Sequence, residues 1–258
     1  MTGDLTEFAD FAGHLADESG AFIRPLFRQP IDIISKSDES PVTEADRGAE
    51  RVMRAIINDR YPDHGIVGEE YGPEKADAEW VWHLDPIDGT KSFITGSAQF
   101  ATLIALTRHG KPVIGIINQP VNNERWVGID GQRSTFNGAP ISTRRCAALE
   151  DASLYTWGAE CLLGENANQM QALVRAAHLA RFSADGYAYG LLALGFVDIV
   201  SDEGMKPHDY LALAPVVKGA GGVITDWDGR DIEFGIGERT LAAGDPALHA
   251  AALKILQG

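Results

Sequence analysis

The densest chemistry in the sequence lies between Asp85 and Thr90, which read Asp-Pro-Ile-Asp-Gly-Thr. Two carboxylates flank a proline and an isoleucine there. Pro86 fixes its own φ and biases Asp85 toward extended backbone, so the acids are held rather than mobile. Carboxylates held this close repel, and a cation is the simplest remedy. Oxygen donors, with the backbone carbonyl of Ile87 between Asp85 and Asp88, suit a hard ion such as Mg2+. His83 offers a nitrogen, which strand alternation turns to the side of Val81 and Asp85. No cysteine or His-x-x-x-His pattern favours zinc. A turn in which Asp85 and Asp88 only accept from backbone N–H groups explains the same spacing, and both readings stand at this point.

Other acids sit where secondary structure begins or ends. The run Trp80–Leu84 is apolar and β-prone, so Asp85 and Asp88 close a strand. Gly65-Ile66-Val67 is a short strand followed by Gly68-Glu69-Glu70-Tyr71-Gly72. If the two strands are neighbours, Glu69 meets Asp85 and Asp88. Thr43 caps a helix opened by Pro41-Val42-Thr43-Glu44-Ala45-Asp46, with Asp46 completing a capping box. A first-turn acid favoured by the helix dipole accounts for Asp46 by itself. Asp209 occupies the first turn of another helix, opened by Lys206-Pro207-His208 and running to Lys218, where Gly219, Gly221 and Gly222 stop it.

The elements around these acids alternate between helix and sheet. Leu5–Phe27 has helical spacing and ends at Pro25. Ile31–Ser35 is β-like and Lys36–Ser40 reads as a mobile loop or hairpin tip. Pro73–Glu79 reads as a flexible flap. Ala101–Thr107 and Val113–Gln119 form a hairpin, with Arg125–Ile129 as a further antiparallel strand and a tight turn at Asn137-Gly138. Ser153–Trp157, Val197–Val200, Gly222–Trp227 and Thr240–Ala243 are strands. Asn166–Ala180, Tyr187–Leu194 and Pro246–Leu256 are helices. A composition shift at Ala147–Ala152 separates an N-terminal half, 1–150, from a C-terminal half, 151–258.

Composition narrows the partners. The chain has 258 residues, is 45% hydrophobic and carries a net charge of −15, so it has ample core and an average surface that repels nucleic acid and anionic membranes. An acidic protein that binds phosphate needs local cations or metals. Two cysteines, Cys146 and Cys161, make no disulfide framework, and a reduced cytoplasmic location is the expectation. No signal peptide pattern opens the chain, and no apolar run approaches membrane-spanning length.

Four blocks in order, Val42–Asp46, Gly68–Glu70, Asp85–Thr90 and Lys206–Asp209, resemble the inositol monophosphatase family of Mg2+-dependent, lithium-sensitive phosphatases. The resemblance covers essentially the whole chain. It implies an α+β layered fold, the αβαβα sugar-phosphatase arrangement, and a homodimer. It further implies that Glu69, Asp85, the carbonyl of Ile87, Asp88 and Asp209 hold Mg2+, two or three ions per site, with Asp85 bridging two of them. Thr90, hydrogen-bonded to Asp46, would act with Glu69 to orient and activate the attacking water. The backbone N–H groups of Gly89 and Thr90 would receive the phosphate of a small-molecule ester. Lys91 would add a local cation there, with a solvated surface lysine as the alternative.

Within the family, Lys206–Leu213, Asp88–Phe93 and Asp185-Gly186-Tyr187-Ala188-Tyr189 look most like histidinol-phosphate phosphatases. His208 stands where Tyr or Trp is expected, and packing beside the site accounts for it. The resemblance implies cleavage of L-histidinol phosphate, as in histidine biosynthesis. Asp202 and Asp185 would contact the cationic part of the substrate; the alternative for each is a capping role, Asp202 for the turn into Glu203-Gly204 and Asp185 for the Tyr187 helix. The alternatives are an inositol-1-monophosphatase or broad polyol-phosphate phosphatase, and a non-catalytic metal-binding regulator. Fructose-bisphosphatase and nucleotide 3'-phosphatase activities belong to relatives with longer chains.

Overall fold

The computed structural model describes residues 5–30, 34–35 and 41–258, with backbone alone at 34–35 and 41–42. The expected hairpin tip Lys36–Ser40 and the start of the β-like run at Ile31 lie outside them. Helix α1 (Leu5–Ile23) buries Phe8, Ala12, Leu15, Ser19 and Ile23 at helical spacing, and Pro25 falls in the tight turn that ends it. Strands β1 (Ile34–Ser35) and β2 (Pro41–Val42) pair antiparallel. Pro41 and Val42 therefore precede α2 (Glu44–Arg60) rather than opening it.

Eight strands follow from the first part of the chain. They are β3 (Gly65–Gly68), β4 (Gly72–Glu74), β5 (Trp80–Asp88), β6 (Ala101–Arg108), β7 (Lys111–Gln119), β8 (Glu124–Ile129), β9 (Thr135–Phe136) and β10 (Ala139–Pro140), with the short helix α3 (Thr90–Ile94) after β5. Their order in the sheet is β10-β9-β8-β7-β6-β5-β3-β4. The run from Pro73, expected as a flap, begins as edge strand β4 on β3. β5 lies between β3, which it pairs parallel, and β6, which it pairs antiparallel.

The rest of the chain builds a five-stranded sheet in the order β12-β11-β13-β15-β14. In chain order these elements are β11 (Ser153–Thr156), α4 (Ala167–Ala176), β12 (Leu179–Phe182), α5 (Asp185–Ala193), β13 (Ile199–Glu203), α6 (Pro207–Tyr210), α7 (Leu213–Gly219), β14 (Val223–Asp226), β15 (Arg239–Ala243) and α8 (Pro246–Gln257). Two expectations are corrected. The helix expected to reach Ala180 ends at Ala176, because Leu179–Phe182 pairs parallel with β11. The helix expected from Lys206 to Lys218 is two helices, α6 and α7.

Three apolar clusters define the layers. Phe8, Leu15, Met53 and Ile57 of α1 and α2 pack on Trp82, Leu84, Ile104 and Ile116 of the large sheet. Its other face, through Leu103, Ile117 and Trp126, meets Leu192, Leu213 and Val216 of α5 and α7, which also touch Val200, Ile224 and Ala242 of the small sheet. Met170, Leu173, Leu248 and Leu256 of α4 and α8 cover the remaining face. The order helix, sheet, helix, sheet, helix is the αβαβα fold expected. Among the described residues no helix is long and apolar enough to cross a membrane.

Two glycines seat the middle helices on the large sheet. A Cβ at Gly115 would lie 1.9 Å from the carbonyl oxygen of Ala212, and one at Gly128 would lie 2.3 Å from the carbonyl carbon of Pro215. Only glycine lets the backbone around α7 come this close, and α6 with Asp209 is carried in by the same approach.

Candidate metal centre and active site

β5 delivers the central acids by breaking its own register. Asp85 pairs with Leu103 and Asp88 with Ala101, so three steps along β5 oppose two along β6. This is a bulge of one residue, which re-aims side chains at a strand end. Trp82, Leu84 and Ile87 point toward α1 and α2, while Asp85 faces the opposite layer. The N–H of Glu69 donates to the carbonyl of Leu84 at 3.1 Å, extending the parallel β3–β5 ladder by one residue. That single bond sets Glu69 beside Asp85, as expected if the strands were neighbours.

The carboxylates form two overlapping donor groups. Donor atoms of Glu69, Asp85 and His208 lie within 4.8 Å of one another, and so do those of Asp85, Asp88 and Asp209. Asp85 belongs to both. The turn reading also holds, because Asp85 Oδ1 accepts from the Ile87 N–H at 3.0 Å. Its other oxygen is free of that bond, so the turn and cation readings are compatible. His83 does not join either group. Its Nε2 pairs with Thr107 Oγ1 at 3.1 Å, its ring packs on Phe234, and burial lowers its pKa to about 3. The nitrogen among the acids is His208, not His83.

The electrostatics fit a cation. Burial, with Glu69, Asp88 and Asp209 close by, pushes the Asp85 carboxyl well above the usual carboxylate range. Burial and Asp185 do the same for Asp88. Asp209 is raised by burial and partly relieved by His208. Among the described residues no lysine or arginine makes an ion pair with Asp85 or Asp88; Lys91 Nζ is 3.6 Å from Glu160 instead. Buried carboxylates clustered without a counter-charge are what a divalent ion neutralises, and the donor set is mainly oxygen.

The surrounding residues are fixed by local hydrogen bonds. The N–H and Oγ1 of Thr43 donate to Asp46 Oδ2 at 2.8 and 2.6 Å, and Thr43 Oγ1 accepts from the Ala45 N–H, which is the expected capping box. With one oxygen so engaged, Asp46 turns Oδ1 toward Thr90, whose hydroxyl lies 3.4 Å away and 3.1 Å from the Ile87 carbonyl. Burial raises the pKa of Asp46. Asp88 Oδ2 accepts from the Gly186 N–H at 2.5 Å, and Asp209 Oδ2 accepts from the Lys206 N–H at 2.7 Å. Gly89 has φ of 90°, and a Cβ there would lie 2.8 Å from Asp185 Oδ2, so conformation and space both require glycine.

A cleft of about 230 Å³ opens beside the acids, lined by Glu69, Gly89, Thr90, Trp157, Glu160 and Asp185 among others. A larger cavity, about 860 Å³, lies elsewhere, between the β6–β7 turn and the end of α7. Its lysines Lys111 and Lys218 are paired with Glu233 and Asp231. The clustered acids, rather than volume, locate the site. Asp185 lines the cleft, and burial with Asp209 nearby raises its pKa to about 6. Asp202 is 3% exposed, behind the cleft wall, and accepts from the Trp157 N–H at 2.7 Å. Burial raises its pKa to about 7.

One positioning residue escaped sequence reasoning. Glu50 of α2 is fully buried, accepts from Arg54 Nε at 2.7 Å, and accepts from the N–H groups of Glu70 and Tyr71 at 2.8 and 3.3 Å. It thereby ties down the turn that carries Glu69. The available signal was its place on the Asp46, Glu50, Met53, Ile57 stripe, all buried in α2.

Comparison with known proteins agrees with this geometry. The family model described as the inositol monophosphatase family matches residues 4–258. The chain is 47% identical to the chloroplastic bifunctional phosphatase IMPL2 of Arabidopsis thaliana, over 98% of this chain and 76% of that protein. It is 35% identical to the histidinol-phosphatase of Chlorobaculum parvum, over 89% and 88% of the two chains. Among solved structures, an inositol monophosphatase from Zymomonas mobilis superposes with a TM-score of 0.89 at 43% identity, covering 98% of each chain. A match along the whole described chain, on a shared fold, means that this protein belongs to the inositol monophosphatase family of metal-dependent phosphatases.

Proposed function

We propose that this phosphatase hydrolyses L-histidinol phosphate to L-histidinol and phosphate. The observation that carries the choice of ester is the acidic wall of the cleft, lined by Trp157, by Asp185 and by Glu160, the last shared with Lys91. Histidinol bears an amine and an imidazole, which carboxylates attract and an aromatic face accommodates. A neutral polyol can donate hydroxyl hydrogens to these acids but brings no charge to them. The histidinol-phosphatase name of the Chlorobaculum parvum relative supports the same reading. In this reading Asp185 touches the substrate, and Asp202 acts through the Trp157 backbone by fixing the wall.

Glu69, Asp85, the Ile87 carbonyl, Asp88 and Asp209 would hold Mg2+. Divalent ions, when bound, lower the pKa of water and offset charge on the phosphoryl oxygens. The chain's own residues orient the reactants. The Thr90 hydroxyl has one proton and two acceptors in reach, Asp46 and the Ile87 carbonyl. With the carbonyl committed elsewhere, the proton goes to Asp46, and the Thr90 lone pairs face the cleft to accept from a water. Glu69 lies across the cleft as the second acceptor. The Gly89 and Thr90 N–H groups, at the start of α3, have no acceptor within that helix and suit a phosphate oxygen.

A second reading, hydrolysis of inositol 1-phosphate, is favoured by the 43% identity to the Zymomonas mobilis inositol monophosphatase. Phosphate release under the same Mg2+ concentration decides between them. Histidinol phosphate should give kcat/KM at least about tenfold above inositol 1-phosphate and fructose 1,6-bisphosphate, the scale set by one lost charged contact. Asp185→Asn should narrow that ratio. A higher kcat/KM for inositol 1-phosphate overturns the histidinol reading.

A further inference from the structure

We infer that His208 is itself a metal ligand, which makes one of the two cation positions a mixed nitrogen and oxygen site. The inference rests on the carboxylate cage proposed above and adds to it a donor of a different kind. One ring nitrogen of His208 lies within 4.8 Å of donor oxygens of both Glu69 and Asp85, and those oxygens lie within 4.8 Å of each other. Three donors at such separations can share one ion. The side chain is 14% exposed, so solvent does not carry it away from this position.

The placement of the ring follows from local structure. Pro207 occupies the first turn of α6, and the Lys206 N–H is bound to Asp209 Oδ2. The backbone on either side of His208 is thereby fixed. Nε2 lies 3.3 Å from Asp209 Oδ1, so the imidazole stands between the two donor groups, next to an acid of one and facing the acids of the other. A Tyr or Trp at this position could offer bulk or a donor hydrogen to the cage but no nitrogen lone pair. His83 is no substitute, because its Nε2 is engaged by Thr107 and it belongs to neither donor group.

The consequence is metal preference. Mg2+ favours oxygen donors and gains little from imidazole, whereas imidazole suits Zn2+ and the later first-row ions. The position shared by Glu69, Asp85 and His208 should therefore bind Mn2+ and Zn2+ with a larger advantage over Mg2+ than an all-oxygen cage would give.

The test uses the full chain loaded with Mn2+ alone and reads nitrogen coupling by pulsed electron paramagnetic resonance. Wild type should show imidazole nitrogen modulation that changes when histidine is labelled with 15N. The modulation should vanish in His208→Gln and His208→Tyr and persist in His83→Gln. By calorimetry, His208→Gln should weaken Zn2+ binding at least about tenfold, the scale on which even an outer partner of a metal ligand counts, with a much smaller effect on Mg2+. Mn2+ bound to wild type without nitrogen coupling overturns the assignment and leaves the carboxylate cage standing. Equal weakening of Zn2+ and Mg2+ also overturns it, and reduces His208 to positioning Asp209. A wild-type chain that binds no Mn2+ overturns both His208 and the cage.

Discussion

At the scale of single residues, the site depends on groups that never touch a reactant. Glu50 has no solvent exposure, yet its two oxygens serve Arg54 and the N–H groups of Glu70 and Tyr71. A glutamine there keeps the shape but offers one acceptor oxygen in place of two and turns an amide toward donors. Glu50→Gln should cost about 3 kcal/mol of stability, the scale of breaking a buried ion pair by changing one partner. Because the tethered turn carries Glu69, kcat should fall by about 100-fold, as a misplacement near 1 Å can cause. Thermal unfolding and steady-state kinetics check the two together. A variant that loses stability but keeps full kcat at a temperature where it stays folded would show that Glu50 supports the fold without positioning Glu69. The same residue shows why part of the site was hidden in the sequence. An acid four residues before an arginine on a helix ordinarily reads as a solvated pair, and burial becomes visible only once β3 is laid against α2.

At the scale of elements, the legible parts were those whose local chemistry agrees with their tertiary role. The capping box of Thr43 and Asp46, the strand ending at Asp88 and the hairpin of β6 and β7 all formed as read. In one misread part, pairing overrides propensity. Leu179 and Ala180 continue the helical pattern, but a parallel partner was available in β11 and Leu179–Phe182 became β12. The break between α6 and α7 falls at Leu211 and Ala212, because Pro215 has no N–H for the Leu211 carbonyl and its ring crowds that oxygen. α2 provides the test of an element acting on chemistry. Thr43→Ala removes two of the bonds that hold its first turn and should cost about 1 kcal/mol, as lost caps do. It should also lower kcat, because Asp46 Oδ2 loses a donor and its other oxygen is no longer aimed at Thr90. Thr43→Ser, which keeps the hydroxyl, should restore both stability and kcat. Serine failing to do so would mean that the methyl packing, not the cap, sets Asp46.

At the scale of the whole molecule, layering brings acids from α2, β3, β5, α5 and α6 to one place in a chain of net charge −15. Without a divalent ion the folded state holds protons there that the unfolded state releases. The ordinary carboxylate value is 3.8, against about 6 for Asp185 and about 7 for Asp202, and burial with neighbouring acids raises Asp85 and Asp88 as well. A raised carboxyl pKa means that the folded state binds more protons than the unfolded between the two values, so stability falls as pH rises through that window. In a chelator the melting temperature should therefore drop between about pH 4 and about pH 7. With Mg2+ the sign reverses over the same range, because protons compete with the ion for the same oxygens. The stabilisation by Mg2+ should accordingly be larger at the upper end. Asp202→Asn keeps a carbonyl to accept from the Trp157 N–H and removes one titrating group, so it should flatten the chelator slope while leaving the gain from Mg2+ largely intact. Net charge alone would also make the metal-free protein less stable as pH rises, but a surface-charge effect would be insensitive to which single aspartate is neutralised. An Asp202→Asn slope equal to that of a variant at an exposed acid such as Asp63 would assign the pH dependence to overall repulsion rather than to the buried site.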